Sequence, residues 1–191
     1  GVRANVSIKL TQIGLALGEG VCRENLQMIL KKAADTGNFV RIDMEDSSCV
    51  DATLRLFWQM RQEQGFENVG VVIQSYLYRS EEDVRKLTSE CSRIRLCKGA
   101  YKEPNDIAYP HKPDVDASYD RLAQMMLDGS LAAGCPVVSQ DGRLPPTVAL
   151  ATHDERRVKF ARDYARKIGI PKEALEFQML QGFGVTQPAA P

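Results

Sequence analysis

Two cations, a glycine and a phenol follow or lie within one short apolar run near the middle of the chain. Residues 94–97 read Ile-Arg-Leu-Cys, which predicts a buried strand, and Lys98, Gly99, Ala100 and Tyr101 come directly after it. In barrels of alternating strands and helices, the loops at the carboxyl ends of the strands build the active site. This combination of residues therefore predicts a binding site for an anionic, planar ligand.

A carboxylate and a guanidinium also lie inside predicted buried strands. Asp43 is part of the run Phe39–Met44, and Arg95 is part of Ile94–Cys97. An unpaired charge in a buried strand costs several kcal/mol, so each of the two needs an oppositely charged partner. For Asp43 the candidates are Arg95 and Lys9. The pair could be purely structural, or it could face a ligand, and the sequence leaves both readings open.

Polar side chains stand at or just past nearly every predicted strand end. They are Lys9, Asp43, Gln74, Lys98, His153 and Gln178. Because the strand ends of a barrel converge on one mouth, these six side chains are predicted to ring a single cavity. Structural roles remain open for Lys9 as a surface lysine, for Gln74 as a satisfied core amide and for His153 as a packing residue.

Short β-branched runs alternate along the chain with longer segments of helical periodicity. The predicted strands are Asn5–Leu10, Phe39–Met44, Val69–Gln74, Ile94–Cys97, Thr147–Ala151 and Leu175–Met179. The predicted helices are Arg23–Asp35, Asp51–Gln64, Ser80–Glu90, Tyr119–Ala133 and Glu155–Ile168. Strand–helix units repeating about every 25–35 residues predict a parallel sheet. Since neither GxGxxG nor GxxxxGK[ST] occurs, a barrel is favoured over a nucleotide-binding doubly wound sheet.

Two local patterns add to this outline. Ser80-Glu81-Glu82-Asp83 predicts a capping box at the start of its helix. The segment Glu103–Asp116, rich in proline and polar residues, predicts a disordered loop or a lid.

Composition limits the class of protein. The chain has 191 residues, enough for one domain, with 25 basic and 25 acidic side chains, and this zero net charge argues against a polyanionic partner. Five cysteines without a CxxC pair indicate reduced thiols, typical of a cytosolic or matrix protein. The chain begins without methionine and ends in a stretch without periodicity. We therefore expect one barrel domain over residues 1–182, incomplete at both ends, and a tail over 183–191.

Six ordered blocks along the chain form a larger pattern: Val6–Thr11, Arg41–Asp46, Val72–Tyr76, Arg95–Tyr101, Ala151–Asp154 and Glu176–Leu180. Together they resemble the motifs of proline dehydrogenase, most closely the monofunctional bacterial form. The resemblance implies an α/β fold, a distorted TIM (β/α)8 barrel here without its first and last strands. It implies FAD as cofactor and oxidation of L-proline to 1-pyrroline-5-carboxylate. It also implies electron transfer to a membrane quinone, hence a cytoplasmic protein with peripheral contact to the inner membrane.

The resemblance also implies a role for each matching residue. Arg95 would lie against the reactive edge of the flavin and Asp43 would orient it, while Lys9 would face the substrate carboxylate and Tyr101 would shape the proline pocket. Cofactor contacts are implied for Met44 (through its backbone), Gln74, Lys98, Gly99, Ala100, Thr152 and His153.

The chain also departs from the family pattern. The last strand of the family, with two adjacent arginines that clamp the proline carboxylate, should follow Leu180, where nothing matches, and Gln181 stands where Tyr or His is expected. A truncated barrel that binds FAD without turnover is therefore one alternative. Another is a Schiff-base aldolase that uses Lys9 or Lys98 as its nucleophile.

Overall fold

The computed structural model describes residues 5–134 and 137–181, and the predicted tail lies outside this part of the chain. Six parallel strands form one sheet in chain order. They are β1 (Asn5–Ile8), β2 (Phe39–Ile42), β3 (Val69–Gln74), β4 (Ile94–Cys97), β5 (Val148–Ala151) and β6 (Leu175–Gln178). The predicted α/β barrel architecture is confirmed, as a curled sheet of sequential parallel strands with helices between them.

Helical segments connect each strand to the next. The α-helices are α1 (Glu19–Asp35), α2 (Val50–Trp58), α3 (Ser80–Ser89), α4 (Lys112–Ala132) and α5 (Glu155–Ile168). Short 3-10 turns at Leu10–Ile13, Leu15–Leu17, Ser47–Cys49 and Lys172–Ala174 complete the connections, and a π-turn at Gln59–Glu63 extends α2.

The core lies between the sheet and the helices. Every residue of β2 and β3 is buried, which explains why these strands are apolar along their length rather than alternating. By contrast β1 is mostly exposed, since within the described residues β1 and β6 each pair with only one neighbour. The sheet thus has two open edges, as expected of six strands from a larger barrel.

The segment after β4 is more ordered than the sequence predicted. Helix α4 begins at Lys112, seven residues before the predicted start, because Pro113 occupies the first turn, where its missing N–H is tolerated. The preceding loop is held to the turn after β3 by two backbone hydrogen bonds, Tyr78 N to Ile107 O at 3.1 Å and Tyr109 N to Tyr76 O at 2.8 Å. The prediction of a disordered loop is therefore wrong, and the alternative, a lid, stays a prediction.

The predicted capping box is also wrong. Ser80 is already helical, and its hydroxyl donates to Gln74 O at 2.6 Å instead of capping its own helix. This bond fastens the start of α3 to the end of β3, which is the end that carries candidate site residues. Within the described residues, no helix combines the length and the apolar character needed to cross a bilayer.

Candidate active site

Arg95 reaches across the concave face of the sheet from β4 to the ends of β1 and β2. Its Nη1 donates to Asp43 Oδ1 at 3.1 Å and to Ser7 Oγ at 3.0 Å. The side chains of Arg95 and Asp43 remain 20% and 29% exposed. The predicted pairing of these two charges is confirmed, and the pair stands where a ligand can reach it. Ser7 was not predicted, although it lies two residues before Lys9 on the same strand face.

Asp43 lies among charges of both signs. Burial raises the pKa of its carboxyl, while the positive charges of Arg95, Lys9 and Arg41 act in the opposite direction. Lys9 is half-buried at the start of the 3-10 turn that follows β1. The charge of Glu45 acts in the same direction as burial, and the pKa of Asp43 is raised overall.

Gln74 links the ends of β3 and β2. It is 3% exposed, and its Nε2 donates to the backbone oxygen of Met44 at 3.4 Å. Its Oε1 has no hydrogen-bond partner within the described residues, and neither has Nε of the neighbouring Arg95. Buried polar atoms are nearly always paired, so an acceptor and a donor near the same mouth point to a ligand that presents both kinds of group.

Lys98 is engaged by carboxylates that the sequence analysis did not assign to it. Its Nζ donates to Asp116 Oδ1 at 2.5 Å and to Asp154 Oδ2 at 2.7 Å. Burial works against the charged form, but these hydrogen bonds prevail and raise the pKa of Lys98. The bond from Lys98 also lowers the pKa of Asp154 to about 2. Lys98 therefore ties the loop after β4 to the second turn of α4 and the N-cap of α5.

Gly99 packs directly against an aromatic ring. Its φ is +117°, and a Cβ at this position would lie 2.4 Å from Cδ1 of Tyr76. The two loops are also joined through Tyr76 N, which donates to Lys98 O at 3.0 Å. Only a residue without a Cβ fits here, because the ring of Tyr76 approaches the backbone so closely. Ala100 is exposed and Tyr101 is half-buried in the same loop.

The loop after β5 carries Thr152 and His153. Thr152 N donates to Gln178 O at 3.2 Å, which continues the pairing of β5 with β6. His153 is exposed, and its Nε2 accepts from the backbone N–H of Leu180 at 3.0 Å. Within the described residues these two side chains make no hydrogen bond to Asp43 or Arg95. They join the rest of the site through Asp154, which is bound to Lys98.

The candidate residues thus form two charged groups at the carboxyl ends of the strands. An inner group at β1, β2, β3 and β4 contains Lys9, Asp43, Gln74 and Arg95. An outer group at β4, α4 and β5 is centred on Lys98 with its aspartates. The strand ends thus bring polar side chains together in these two groups, whereas the single cavity ringed by all six, Gln178 included, stays a prediction. The pairing of Lys98 with Asp116 on α4 was not predicted, because the sequence places residue 116 in a predicted loop.

Sequence comparison finds relatives along nearly the whole chain. The family described as proline dehydrogenase matches residues 2–190. The chain is 40% identical over 185 residues to proline dehydrogenase of Deinococcus radiodurans, which covers 95% of this chain and 55% of that protein. It is 36% identical over 182 residues to proline dehydrogenase 2 of Bacillus subtilis strain 168, with 95% and 54% covered.

Solved structures give the same result. The chain superposes with a TM-score of 0.74 and 32% identity on proline utilization A from Bdellovibrio bacteriovorus inactivated by N-propargylglycine, covering 91% of this chain and 20% of that one. The chain spans about half the length of the proline dehydrogenases it matches. On the strength of the family match, the sequence identity and the shared fold, this chain belongs to the proline dehydrogenase family.

Proposed function

We propose that this chain supplies the FAD-binding part of an enzyme that oxidises L-proline to 1-pyrroline-5-carboxylate and passes the electrons to a membrane quinone. Residues 1–182 would form its barrel domain, working in the cytoplasm with peripheral contact to the inner membrane. The observation that carries the proposal is the accessible Asp43–Arg95 pair beside the unpartnered Oε1 of Gln74. Because the chain belongs to the proline dehydrogenase family, we interpret this geometry as a flavin site.

The residues of the inner group fit a flavin. An isoalloxazine edge carries hydrogen-bond donors and acceptors side by side, which matches the free acceptor on Gln74 and the free donor Nε on Arg95. When bound, FAD would supply the hydride acceptor that no side chain provides. The backbone oxygen of Met44 accepts from Nε2 of Gln74 at 3.4 Å, which fixes that side chain and leaves its Oε1 for a ligand.

Asp43 and Ser7 would set the orientation of Arg95. Together they occupy one nitrogen of the guanidinium, and the fork of a guanidinium is planar, so its remaining N–H groups are aimed in fixed directions. A fixed cation stabilises negative charge that develops during a reaction without reorganising at that moment. Lys9, near Asp43, would bind the carboxylate of proline, and Tyr101 would border the substrate.

The outer group would hold the rest of the cofactor from the loops after β4 and β5. We assign this part to the backbone of Gly99 and Ala100 and to Thr152 and His153. The ammonium of Lys98 has two of its three N–H groups occupied by aspartates, so one remains for a phosphate oxygen. The same aspartates raise the pKa of Lys98, which opposes the neutral amine that a Schiff-base aldolase requires.

The test is an anaerobic visible spectrum of the chain loaded with FAD, before and after addition of L-proline, with D-proline as control. Bleaching by L-proline alone supports the full proposal. Bound flavin that stays oxidised supports the truncated, non-catalytic barrel. Absence of any bound flavin contradicts the proposal, and borohydride trapping of a carbonyl compound on Lys9 would then favour the aldolase.

A further inference from the structure

Glu103 joins the loop after β4 to the turn after β2. Its carboxylate accepts from the backbone N–H of Ser47 at 2.7 Å and from the Ser47 hydroxyl at 2.6 Å. The hydroxyl of Tyr76, from the turn after β3, lies 3.5 Å from the same carboxylate. One side chain thus connects three strand-end loops that are separate in sequence.

Glu45 makes the same pair of contacts between the turn after β2 and the turn after β1. It is 6% exposed, and its carboxylate accepts from the N–H of Thr11 at 3.0 Å and from the Thr11 hydroxyl at 2.6 Å. Thr11 belongs to the 3-10 turn that follows β1. In each contact the hydroxyl residue donates two charge-assisted hydrogen bonds to the glutamate, one from its backbone N–H and one from its side chain. Each contact is therefore directional and strong.

The residues of these contacts alternate with the candidate site residues along the chain. Thr11 lies two positions after Lys9, and Glu45 lies two after Asp43. In the same way Tyr76 lies two positions after Gln74, and Glu103 lies two after Tyr101. Each site loop therefore has a tether within two residues of the side chain that it presents.

We propose that Glu45 and Glu103, which we call the carboxylate belt, are positioning residues that couple the loops after β1, β2, β3 and β4 into one arrangement. In this role neither glutamate contacts the cofactor or the substrate. Their effect on cofactor affinity rests on the proposed function, whereas the coupling between loops does not. A purely local role for Glu103, fixing only its own loop, is the competing explanation.

Hydrogen exchange in the chain without FAD distinguishes the two. We compare Glu103→Gln with Glu67→Gln, an exposed glutamate in an ion pair with Arg61, as the matched control. The belt predicts faster exchange both in residues 98–104 and in residues 44–49, with helix α1 unchanged and no effect of the control. Faster exchange confined to residues 98–104, or equal changes across the whole chain, would overturn the proposal.

Ser47 provides a rescue series that a general loss of stability would not reproduce. Ser47→Thr keeps both donors and should exchange like the parent, while Ser47→Ala loses the hydroxyl and should fall between the parent and Glu103→Gln. In the double variant of Glu45→Gln and Glu103→Gln, exchange in residues 44–49 should rise more than the sum of the single effects. Additive effects would mean that the two carboxylates act separately, against the belt.

FAD affinity gives the second measurement. Titration followed by flavin fluorescence and visible circular dichroism should show a dissociation constant at least tenfold higher for Glu103→Gln and unchanged for Glu67→Gln. Coupled exchange with unchanged affinity would overturn the positioning role. If the parent chain binds no FAD, the proposed function fails, and the exchange data alone then decide whether the belt couples the loops.

Discussion

Replacing Gly99 by alanine tests the packing that positions the loop after β4. The backbone of Gly99 has φ of +117°, and an added Cβ would lie 2.4 Å from Cδ1 and 2.5 Å from Cε1 of Tyr76. Tyr76 is only 8% exposed, and its backbone N–H is bonded to Lys98 O, so the ring has little room to retreat. Alanine must therefore strain its own backbone and also displace the aromatic ring.

The size of the effect follows from these two costs. A non-glycine residue held at such a backbone conformation costs on the order of 1–3 kcal/mol. An extra methyl group forced into a packed site costs about 1–3 kcal/mol more. We expect Gly99→Ala to lower the free energy of unfolding by about 3 kcal/mol. For a chain of this length that corresponds to a fall in Tm of roughly 6–12 °C.

The assay is urea unfolding followed by circular dichroism, with the midpoint and the m-value determined separately. In a Tyr76→Ala background the steric part of the cost disappears, so Gly99→Ala should then cost only about 1 kcal/mol. The coupling energy between the two sites is thus about 2 kcal/mol. A loss below about 0.5 kcal/mol in the parent, or an equal loss in both backgrounds, would refute the assigned contact.

Three further predictions follow from the electrostatics and burial of the described residues. Asp154→Asn should flatten the loss of stability between about pH 4 and pH 2. The carboxyl of Asp154, with its pKa lowered to about 2, stabilises the fold only while it is ionised, by at most about 2 kcal/mol. Urea midpoints across this pH range measure the loss in the parent and the variant. Cys97, whose pKa burial raises to about 11, should resist alkylation at pH 8 while exposed Cys91 reacts, as site-resolved mass spectrometry will report. Arg41→Met should leave the urea midpoint unchanged or higher, since Arg41 is 1% exposed and two of its nitrogens lack partners within the described residues; a loss above about 2 kcal/mol would contradict this and indicate a working partner such as Glu176.

That Asp43 needs a cationic partner could be predicted from the sequence alone, with Arg95 and Lys9 as candidates, and the family resemblance then indicated Arg95. A charge inside an apolar strand needs a partner, and few oppositely charged residues are available at matching strand ends. The strand order could be predicted for a similar reason, since alternating strands and helices leave few parallel topologies. Both inferences use constraints that hold for any globular protein.

The environment of Lys98 could not be predicted in this way. Its partner Asp116 lies 18 positions later, on a helical turn whose prolines were interpreted as loop signals. The capping box predicted at Ser80 is wrong for a related reason. The Ser80 hydroxyl has a competing acceptor on β3, which only the folded chain brings near. Such polar contacts depend on where helices begin, and the ends of a helix are the least certain feature of a prediction from sequence.

The two charged groups differ in a way that bears on their roles. Arg95 leaves a donor free within the described residues and remains partly exposed, so a ligand gains a hydrogen bond there without first breaking one. Lys98, in contrast, sits in a cluster in which three cations, with Lys112 and Arg157, face three aspartates: Asp116, Asp120 and Asp154. An anion that approaches this cluster meets little net charge, and only one of the three N–H groups of Lys98 remains for it. We therefore expect substitutions at Arg95 to change the chemistry of bound flavin, and substitutions at Lys98 to act mainly on the geometry of the loops that hold it.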